Sequence, residues 1–330
     1  GCSGLTELVI PEGVTSIGSS AFTGCSSLTG ELVIPEGVTS IGSYAFYGCS
    51  GLTSVSLPST LTSIGSYAFS DCSGLIGKLE IPEGVTSIGS QAFWGCSGLT
   101  GELKIPEGVT SIGSDAFFGC SGLTELVIPE GVTSIGNSAF SRCSSLTSVS
   151  LPSSLTSIGG GAFSSCSSLK SMNYLGTIEQ WCKIEFMGSY SNPTYYTHKL
   201  YIQGVEITNL VIPESVTSIG SYAFQYCTTL TSVSLPSSLT SIGDSAFENC
   251  GGLTGELEIP EGVESVGDYA FSVCSSLESV SLPSTLTSIG SSAFRGCSGL
   301  TSVRLPSSLT SIGSDAFRNC FSLKYIQITG

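Results

Sequence analysis

Cysteine is the residue of this sequence best able to do chemistry, because thiolates bind metals, form disulfides and act as nucleophiles. All of the 14 cysteines except Cys182 share one position of a repeating unit. In a stack with about 4.8 Å between units, their side chains would run parallel, whereas a disulfide needs Cβ atoms about 3.8 Å apart and zinc needs four converging ligands. We therefore predict buried, free thiols that pack as small apolar groups, and no metal site. The in-phase cysteines are Cys2, Cys25, Cys49, Cys72, Cys96, Cys120, Cys143, Cys166, Cys227, Cys250, Cys274, Cys297 and Cys320.

Glutamates form a second recurring set, each directly after a recurring proline. They are Glu12, Glu36, Glu83, Glu107, Glu130, Glu214 and Glu261. Carboxylates stacked about 5 Å apart repel one another and could hold Ca²⁺ between them. The alternative, which we adopt, is that they spread into solvent and bind no metal.

Large aromatic residues occupy variable positions near a recurring Ala-Phe-x-x-Cys element, where sister units carry serine or threonine. In the first half of the chain they are Tyr44, Tyr47, Tyr67, Trp94 and Phe118, and in the second half Tyr222, Tyr226 and Tyr269. The unit does not require them, so they either form an interaction surface or cover neighbouring units at the edge. The sequence leaves both interpretations open.

A third candidate surface is the solvent face of the predicted strand, two residues before each recurring proline. Its charged members are Glu80, Lys104, Glu258 and Arg304. The row as a whole, which also includes Val9, Val33 and Val127, is mostly small or weakly polar, without the aromatic and arginine anchors that dominate interfaces. We expect any binding on this row to be weak or multivalent.

Enzymatic motifs are missing from the sequence. His198, the only histidine, lies in a tyrosine-rich loop and is expected to be solvated there. Neither a phosphate-binding loop, nor a paired-histidine zinc motif, nor a calcium-loop pattern occurs. We predict a non-enzymatic protein without catalytic residues or cofactors.

The elements that position these residues come from one repeated unit. Twelve prolines recur 23 or 24 residues apart, except across the gap from Pro152 to Pro213, and such a period is typical of a solenoid. In the unit Leu277 to Gly299, alternating apolar residues predict a short strand that ends at Pro283, and Leu286 with Ile289 forms a second inward pair. A glycine occupies the next position in all twelve units, where the backbone must turn tightly or take φ > 0. Ala293, Phe294 and Cys297 are spaced like one helical turn.

We divide the chain into residues 1–170 as a first repeat block, 171–209 as an irregular inserted coil and 210–330 as a second block, within one continuous solenoid. An additional glycine before the strand, at Gly30, Gly77, Gly101 and Gly255, predicts a bulge. In the insert, Thr177 should cap a short helix and Gln203-Gly204 should turn a hairpin. Its aromatic residues either plug the core, the interpretation we favour, or line a ligand pocket.

Charge and hydropathy exclude several kinds of partner. With 10 Lys+Arg against 25 Asp+Glu and a net charge of −15, the chain lacks the basic clusters that nucleic acids or anionic membranes require. No apolar run is long enough to insert into a membrane. Because the sequence opens inside a unit, we expect it to be part of a longer chain whose export signal and anchor lie elsewhere.

The unit L-x-x-V-x-L-P-x-x-L-T-S-I-G-x-x-A-F-x-x-C-x-x resembles the leucine-rich repeat of BspA-like surface proteins of the Treponema pallidum type, over essentially the whole chain. The stretch from Tyr174 to Trp181 also resembles the variant coil of that family. The resemblance implies an α/β-type, right-handed curved solenoid with parallel strands on its concave face and short helical turns or loops opposite. It also implies an extracellular or cell-surface location and binding to host or cell-surface proteins. Glycan binding through exposed aromatics, or a role as a passive spacer, are the alternatives.

Overall fold

The structure, a computed structural model, describes residues 1–329 and consists of two compact units, unit 1 (Gly1–Ser171) and unit 2 (Met172–Gly330). In each unit the chain winds in successive coils, one repeat per coil. Equivalent residues of neighbouring coils are in register in parallel pairs, for example Ile17 with Ile41 and Ile219 with Ile242. The predicted parallel-strand solenoid is confirmed within each unit.

The first strand of a coil forms where apolar and polar residues alternate before the proline. Inward residues such as Leu126 and Val149 pair in register and are buried. In unit 1 these strands are Gly30–Val33, Leu52–Ser56, Thr100–Lys104, Gly122–Val127 and Ser148–Leu151, and Ser171–Tyr174 spans the unit boundary. In unit 2 they are Asn209–Val211, Ser232–Ser234, Gly255–Glu258, Leu277–Ser281, Ser302–Pro306 and Tyr325–Thr329.

The additional glycines shift the strand register as predicted. Gly30, Gly101 and Gly255 each precede a register shift, with φ values of 79°, 79° and 72°. Gly77 also has a positive φ of 84°, but its coil keeps only an isolated bridge to Leu99 instead of a strand. The bulge prediction is therefore confirmed at three of the four positions.

A second ladder of parallel strands follows the proline in each coil. The sequence indicated only an inward apolar pair here, because a two-residue strand leaves no alternation to read. In unit 1 the strands are Ser16–Ile17, Ser40–Ile41, Ser63–Ile64, Ser87–Ile88, Ser111–Ile112, Ser134–Ile135 and Ser157–Ile158. In unit 2 they are Ser218–Ile219, Ser241–Ile242, Ser265–Val266, Ser288–Ile289 and Ser311–Ile312.

The Ala-Phe-x-x-Cys segment forms hydrogen-bonded turns and differs from the predicted helical turn. Left-handed residues interrupt it on both sides of Phe117, at Asp115 (φ 54°) and Gly119 (φ 73°). The N–H groups of Asp115, Phe117 and Gly119 each donate to a carbonyl of the next coil at 2.8 Å. In an α-helix these N–H groups would donate to carbonyls of the same helix. Here the alternation of backbone conformation directs them to the neighbouring coil, so each coil gains a further ladder of backbone hydrogen bonds with its neighbour.

Phenylalanine rings and thiols stack through the core. In unit 1 the rings at the Phe position, from Phe22 to Phe163, lie 5.3 to 5.8 Å apart between centroids and nearly parallel. The in-phase cysteines beside them are free, and those from Cys25 to Cys297 are buried as predicted. The thiols also donate hydrogen bonds, such as the one from Cys120 Sγ to the Phe93 carbonyl (3.2 Å). Burial raises the pKa of the Cys166 thiol to about 12, which keeps it protonated.

In most coils, close approach of the neighbouring coil requires the glycine that follows the Ser-Ile strand. A Cβ on Gly136 would lie 2.5 Å from the Ser114 nitrogen, and one on Gly65 2.6 Å from the Gly42 carbonyl carbon. Neither glycine has a positive φ. The sequence predicted a tight turn or a positive φ at this position, whereas the structure gives a different reason, the proximity of the neighbouring coil's backbone.

The inserted coil of unit 2 has two short helices, α1 (Ile178–Cys182) and α2 (Thr194–Thr197), a strand Glu185–Phe186 and a hairpin of Tyr201–Ile202 with Val205–Glu206. Thr177 caps α1 in a reciprocal arrangement with Gln180, as predicted. Tyr174 and Trp181 are fully buried, so these two aromatics do plug the core. The sequence indicated a loop where α2 forms.

Candidate functional site

Two positions in each regular coil have a left-handed backbone, and tyrosines occupy several of them. One precedes Ala-Phe and holds Tyr44, Tyr67, Tyr222 and Tyr269, and the other lies two residues after the Phe and holds Tyr226, with φ values between 57° and 64°. A left-handed residue other than glycine costs about 1–2 kcal/mol. Most sister coils carry Ser, Asp, Asn or Gly at these positions, and others carry Gln91, Arg142 or Val273. The backbone therefore does not select tyrosine here.

In unit 1 these rings belong to a row that we call the aromatic flank: Tyr44, Tyr47, Tyr67, Trp94, Phe118 and Arg142. Tyr44 and Tyr67 stack with centroids 4.4 Å apart and planes 7° apart, and Tyr47 meets Tyr44 edge-on at 5.7 Å. The Asp71 carboxylate raises the pKa of Tyr47 by its charge and then by a hydrogen bond. The structure thus brings three predicted residues into direct contact.

The second half of the aromatic flank is built on Trp94 and Phe118, which stack at 5.6 Å with planes 8° apart. The guanidinium of Arg142 lies 5.3 Å from the Phe118 ring centroid, a cation–π contact. A shallow groove of about 630 Å³ runs beside these residues, lined also by serines of the neighbouring coils. Sequence reasoning missed Arg142, although it is the only basic residue of unit 1 at its position in the repeat.

The exposed fractions of these aromatic side chains bear on whether they form an interaction surface or cover neighbouring coils. Tyr44 is 39% exposed, and Tyr47, Tyr67, Trp94 and Phe118 are half-buried. The rings therefore cover neighbouring coils with one face and leave part of their surface to solvent. Covering the edge and offering a contact surface are compatible in this arrangement, and binding itself stays a prediction.

In unit 2 the predicted aromatic residues do not form one row. Tyr226 contacts Tyr195 of the inserted coil at 4.5 Å. Tyr269 is 40% exposed and makes no ring contact within residues 1–329. Tyr222 is half-buried, and burial followed by the charges of Asp244 and Glu248 raises its pKa.

The strand-face residues Glu80, Lys104, Glu258 and Arg304 are all exposed, as predicted. Glu258 and Arg304 flank Ser281 in register across three strands. The face also carries a second outward column that sequence reasoning overlooked, and from it Glu102 pairs with Lys104 (3.6 Å) and Lys78 with Glu80 (3.9 Å). Exposed pairs of this kind contribute little stability.

Four of the recurring glutamates have a structural role that the sequence reasoning did not assign. We call Glu36, Glu130, Glu214 and Glu261 the glutamate clamps, because each carboxylate accepts hydrogen bonds from a serine of the next coil. The Ser59 amide and hydroxyl each donate to Glu36 at 3.0 Å, and those of Ser153 each donate to Glu130 at 2.9 Å. Ser237 and Ser284 bond Glu214 and Glu261 in the same way. A clamp forms where a Pro-Glu coil precedes a Pro-Ser coil.

The glutamate clamps predict an acid-dependent loss of stability. Hydrogen bonds from the Ser59 amide and then its hydroxyl hold the pKa of Glu36 below its ordinary value of 4.5, and corresponding bonds lower the pKa of Glu214 and Glu261. A carboxyl group whose pKa is lower in the folded state than in the unfolded state stabilises the fold at pH values above its unfolded pKa. This stability is lost as the pH falls through the folded pKa. We expect a variant with all four clamps changed to Gln to show a flatter decline of melting temperature between about pH 5 and 3 than the wild type.

The matched control changes Glu83 and Glu107 to Gln. These residues share the same repeat position, but the next coil places a glutamate where the clamps find a serine, and within the described chain no such bond forms. The control should keep the wild-type pH profile. Equal flattening in both variants would refute the role of the clamps.

The next features are the single histidine and the side chains that could hold a metal ion. His198 is exposed at the end of α2. No three His, Cys, Asp or Glu side chains within residues 1–329 converge where they could hold a metal ion. Among the same residues, no helix has the length and apolar character needed to cross a membrane.

Comparison with known proteins identifies a family for this repeat architecture. The chain matches the family described as BspA type Leucine rich repeat region (6 copies) over residues 1–100, 75–192 and 197–324. No protein with a curated description matches it.

Solved structures of two bacterial proteins are similar over most of the chain. A leucine-rich cell surface protein from Faecalibacterium prausnitzii A2-165 is 31% identical with a TM-score of 0.60, covering 99% of this chain and 88% of that one. A leucine-rich repeat protein from Bacteroides ovatus ATCC 8483 is 33% identical with a TM-score of 0.63, covering 95% and 82%. Such a fold suggests a protein-interaction module. The chain belongs to the BspA-type leucine-rich repeat family.

Proposed function

We propose that this chain is a non-enzymatic, cell-surface or secreted adhesion module that binds a protein partner through the aromatic flank of unit 1. The observation that carries the proposal is the stacking of Trp94 on Phe118 with Arg142 over the Phe118 ring, where sister coils such as those of Ser70 and Ser141 carry serine. Trp, Tyr and Arg are the residues that dominate the binding energy of protein interfaces.

Preorganisation supports this assignment. Tyr44 is held against Tyr67, Trp94 against Phe118, and Arg142 against Phe118. Side chains already held in one arrangement lose less entropy when a partner binds. The strand-face residues Glu80 and Lys104 are held only in exposed ion pairs, which contribute little energy, so the aromatic flank is the stronger candidate.

A cell-surface location is supported by the similarity to the Faecalibacterium protein, which is described as a cell surface protein. The partner we expect is accordingly a host or cell-surface protein. A second candidate, a glycan, is favoured by the groove at Trp94 and Phe118, because serine hydroxyls line it next to a flat aromatic surface. Sugars stack on such rings while their hydroxyls bond to polar neighbours.

The test places the full chain on arrays of extracellular-matrix proteins, cell-surface proteins and glycans. The flank variant replaces Tyr44, Trp94 and Phe118 with Ser, the residue that sister coils carry as Ser20, Ser70 and Ser141. We expect the affinity for a protein partner to fall about thirtyfold or more, since interface anchors contribute at least about 2 kcal/mol.

The matched control changes Glu80 and Lys104 on the strand face to Ser and should bind as the wild type does. Binding that survives the flank variant would refute the aromatic flank as the site. Binding to glycans alone would assign the groove to sugars, and silence on every array would favour a passive spacer.

A further inference from the structure

Unit 2 contains a surface cluster of aromatic rings that the aromatic flank does not include. We call it the tyrosine cluster: Tyr190, Tyr195, Tyr196 and Tyr226. The ring of Tyr195 lies 4.6 Å from that of Tyr190, 4.9 Å from that of Tyr196 and 4.5 Å from that of Tyr226. Tyr195 is also hydrogen-bonded to Tyr190. The inserted coil supplies three of the four rings, and the first regular coil after it supplies the fourth.

Buried polar side chains hold the two parts of the cluster together. The side-chain amide of Asn192 donates to the carbonyls of Tyr222 (2.9 Å) and Ala223 (3.0 Å), and Thr194 Oγ1 donates to the Gln225 carbonyl (2.8 Å). Asn192 and Thr194 are fully buried. Because a buried polar group left unpaired costs about 1–3 kcal/mol, these bonds fix α2 and its tyrosines against Tyr226.

The cluster is not needed to fill the core. Tyr174 and Trp181 fill that role with no exposed surface, whereas Tyr190 is 41% exposed and Tyr195, Tyr196 and Tyr226 are half-buried. Tyr226 moreover has a φ of 61°, at a position where sister coils carry Asn249 and Asn319. The left-handed backbone recurs in every regular coil, so the repeat requires this conformation but does not require a tyrosine to adopt it.

Negative charge lies beside the rings. Glu248 is close enough that its charge, after burial, raises the pKa of Tyr226. Its carboxylate accepts a bond from the Gln225 amide at 2.7 Å, and Gln225 Oε1, which is buried, has no hydrogen-bond partner within the described chain. In residues 1–329 no cationic side chain pairs with Glu248, while Lys199 next to the cluster is already paired with Glu206 (3.1 Å).

We propose that the tyrosine cluster and Glu248 form a second binding site, which takes an arginine side chain presented by a protein partner. Tyrosine faces attract a cation, and the planar guanidinium can stack on a ring while it bonds a carboxylate. This site therefore needs a positively charged ligand. The aromatic flank differs, because its own Arg142 already supplies a cation. Charge complementarity thus selects an arginine-bearing loop over a neutral sugar.

The test titrates the full chain by calorimetry with a short glycine-serine peptide that carries an arginine pair. A matched peptide replaces both arginines with citrulline, which keeps the shape and removes the charge. We expect the arginine peptide to bind at least about tenfold more tightly, and Tyr226→Asn and Glu248→Gln each to reduce its affinity about fivefold or more. Tyr190→Ser, on the exposed edge, serves as a second ring variant if Tyr226→Asn fails to fold.

Two control variants separate this site from general attraction to an acidic protein. Glu258→Gln removes an equal charge from the strand face of unit 2, and Tyr269→Ser removes a left-handed tyrosine outside the cluster; both should bind like the wild type. Equal binding of the two peptides, or equal loss with Glu258→Gln, overturns the proposal. It is also overturned if only a neutral oligosaccharide binds and Tyr226→Asn abolishes that binding. All of these variants lie in unit 2, so neither result decides whether the aromatic flank of unit 1 binds a partner.

Discussion

Replacing Phe117 with Ala should destabilise unit 1 by about 3–5 kcal/mol. The ring is fully buried and stacks on Phe93 at 5.4 Å and on Phe140 at 5.6 Å. Its removal leaves a cavity between two coils that cannot close, because the backbone ladders on either side hold the coils at a fixed separation. The measurement is the shift of the guanidinium unfolding midpoint.

The adjacent residue provides the matched control for this substitution. Phe118 is the same residue type one position later, but it lies half-buried in the aromatic flank. Phe118→Ala should cost about 1 kcal/mol or less. A similar loss in both variants would contradict the separation between a core column and a surface column of aromatics.

The second large effect is expected for Gly136→Ala, which should cost at least about 2 kcal/mol. The added Cβ would lie 2.5 Å from the Ser114 nitrogen and 2.7 Å from the Gly113 carbonyl carbon. Both atoms belong to the backbone of the preceding coil, so no rotamer change relieves the overlap. The coils would have to separate, which lengthens the bond from the Gly136 N–H to the Ile112 carbonyl (2.9 Å).

Gly18 is the control for this prediction, since it occupies the same position of the repeat. A Cβ there meets nothing within 4 Å, and its φ is not positive. Gly18→Ala should therefore be neutral or stabilising by about 0.5 kcal/mol, because alanine reduces the entropy of the unfolded chain. Thermal melts of the two variants compare them directly, and equal destabilisation would show that backbone proximity is not the reason for the glycine.

The candidate surfaces show how a repeat protein acquires specificity. The apolar residues of the core are nearly the same in every coil, while the outward positions beside Ala-Phe change from coil to coil. Substituting a few of these positions changes the surface without disturbing the core. The aromatic flank with Arg142 and the tyrosine cluster with Glu248 are two such surfaces of opposite local charge.

In the irregular insert, a local capping pattern alone determined the helix after Thr177. Strict periodicity let the sequence by itself determine the parallel coils, the buried phenylalanine and cysteine columns, and the bulges at Gly30, Gly101 and Gly255. Each of these features depends on a short local pattern of residues, and in a stack of coils the same pattern recurs in every repeat unit. For the same reason the sequence placed Tyr44, Trp94 and Glu80 on the surface.

Only the tertiary structure decided which side chains meet across coils. The bond from Ser59 to Glu36, the position of Arg142 over Phe118 and the contact of Tyr195 with Tyr226 each join residues more than 20 positions apart in the sequence. Such contacts depend on the separation and register of neighbouring coils and on the path of an irregular insert. These are set by packing and backbone hydrogen bonds between coils, and a one-dimensional pattern does not contain them.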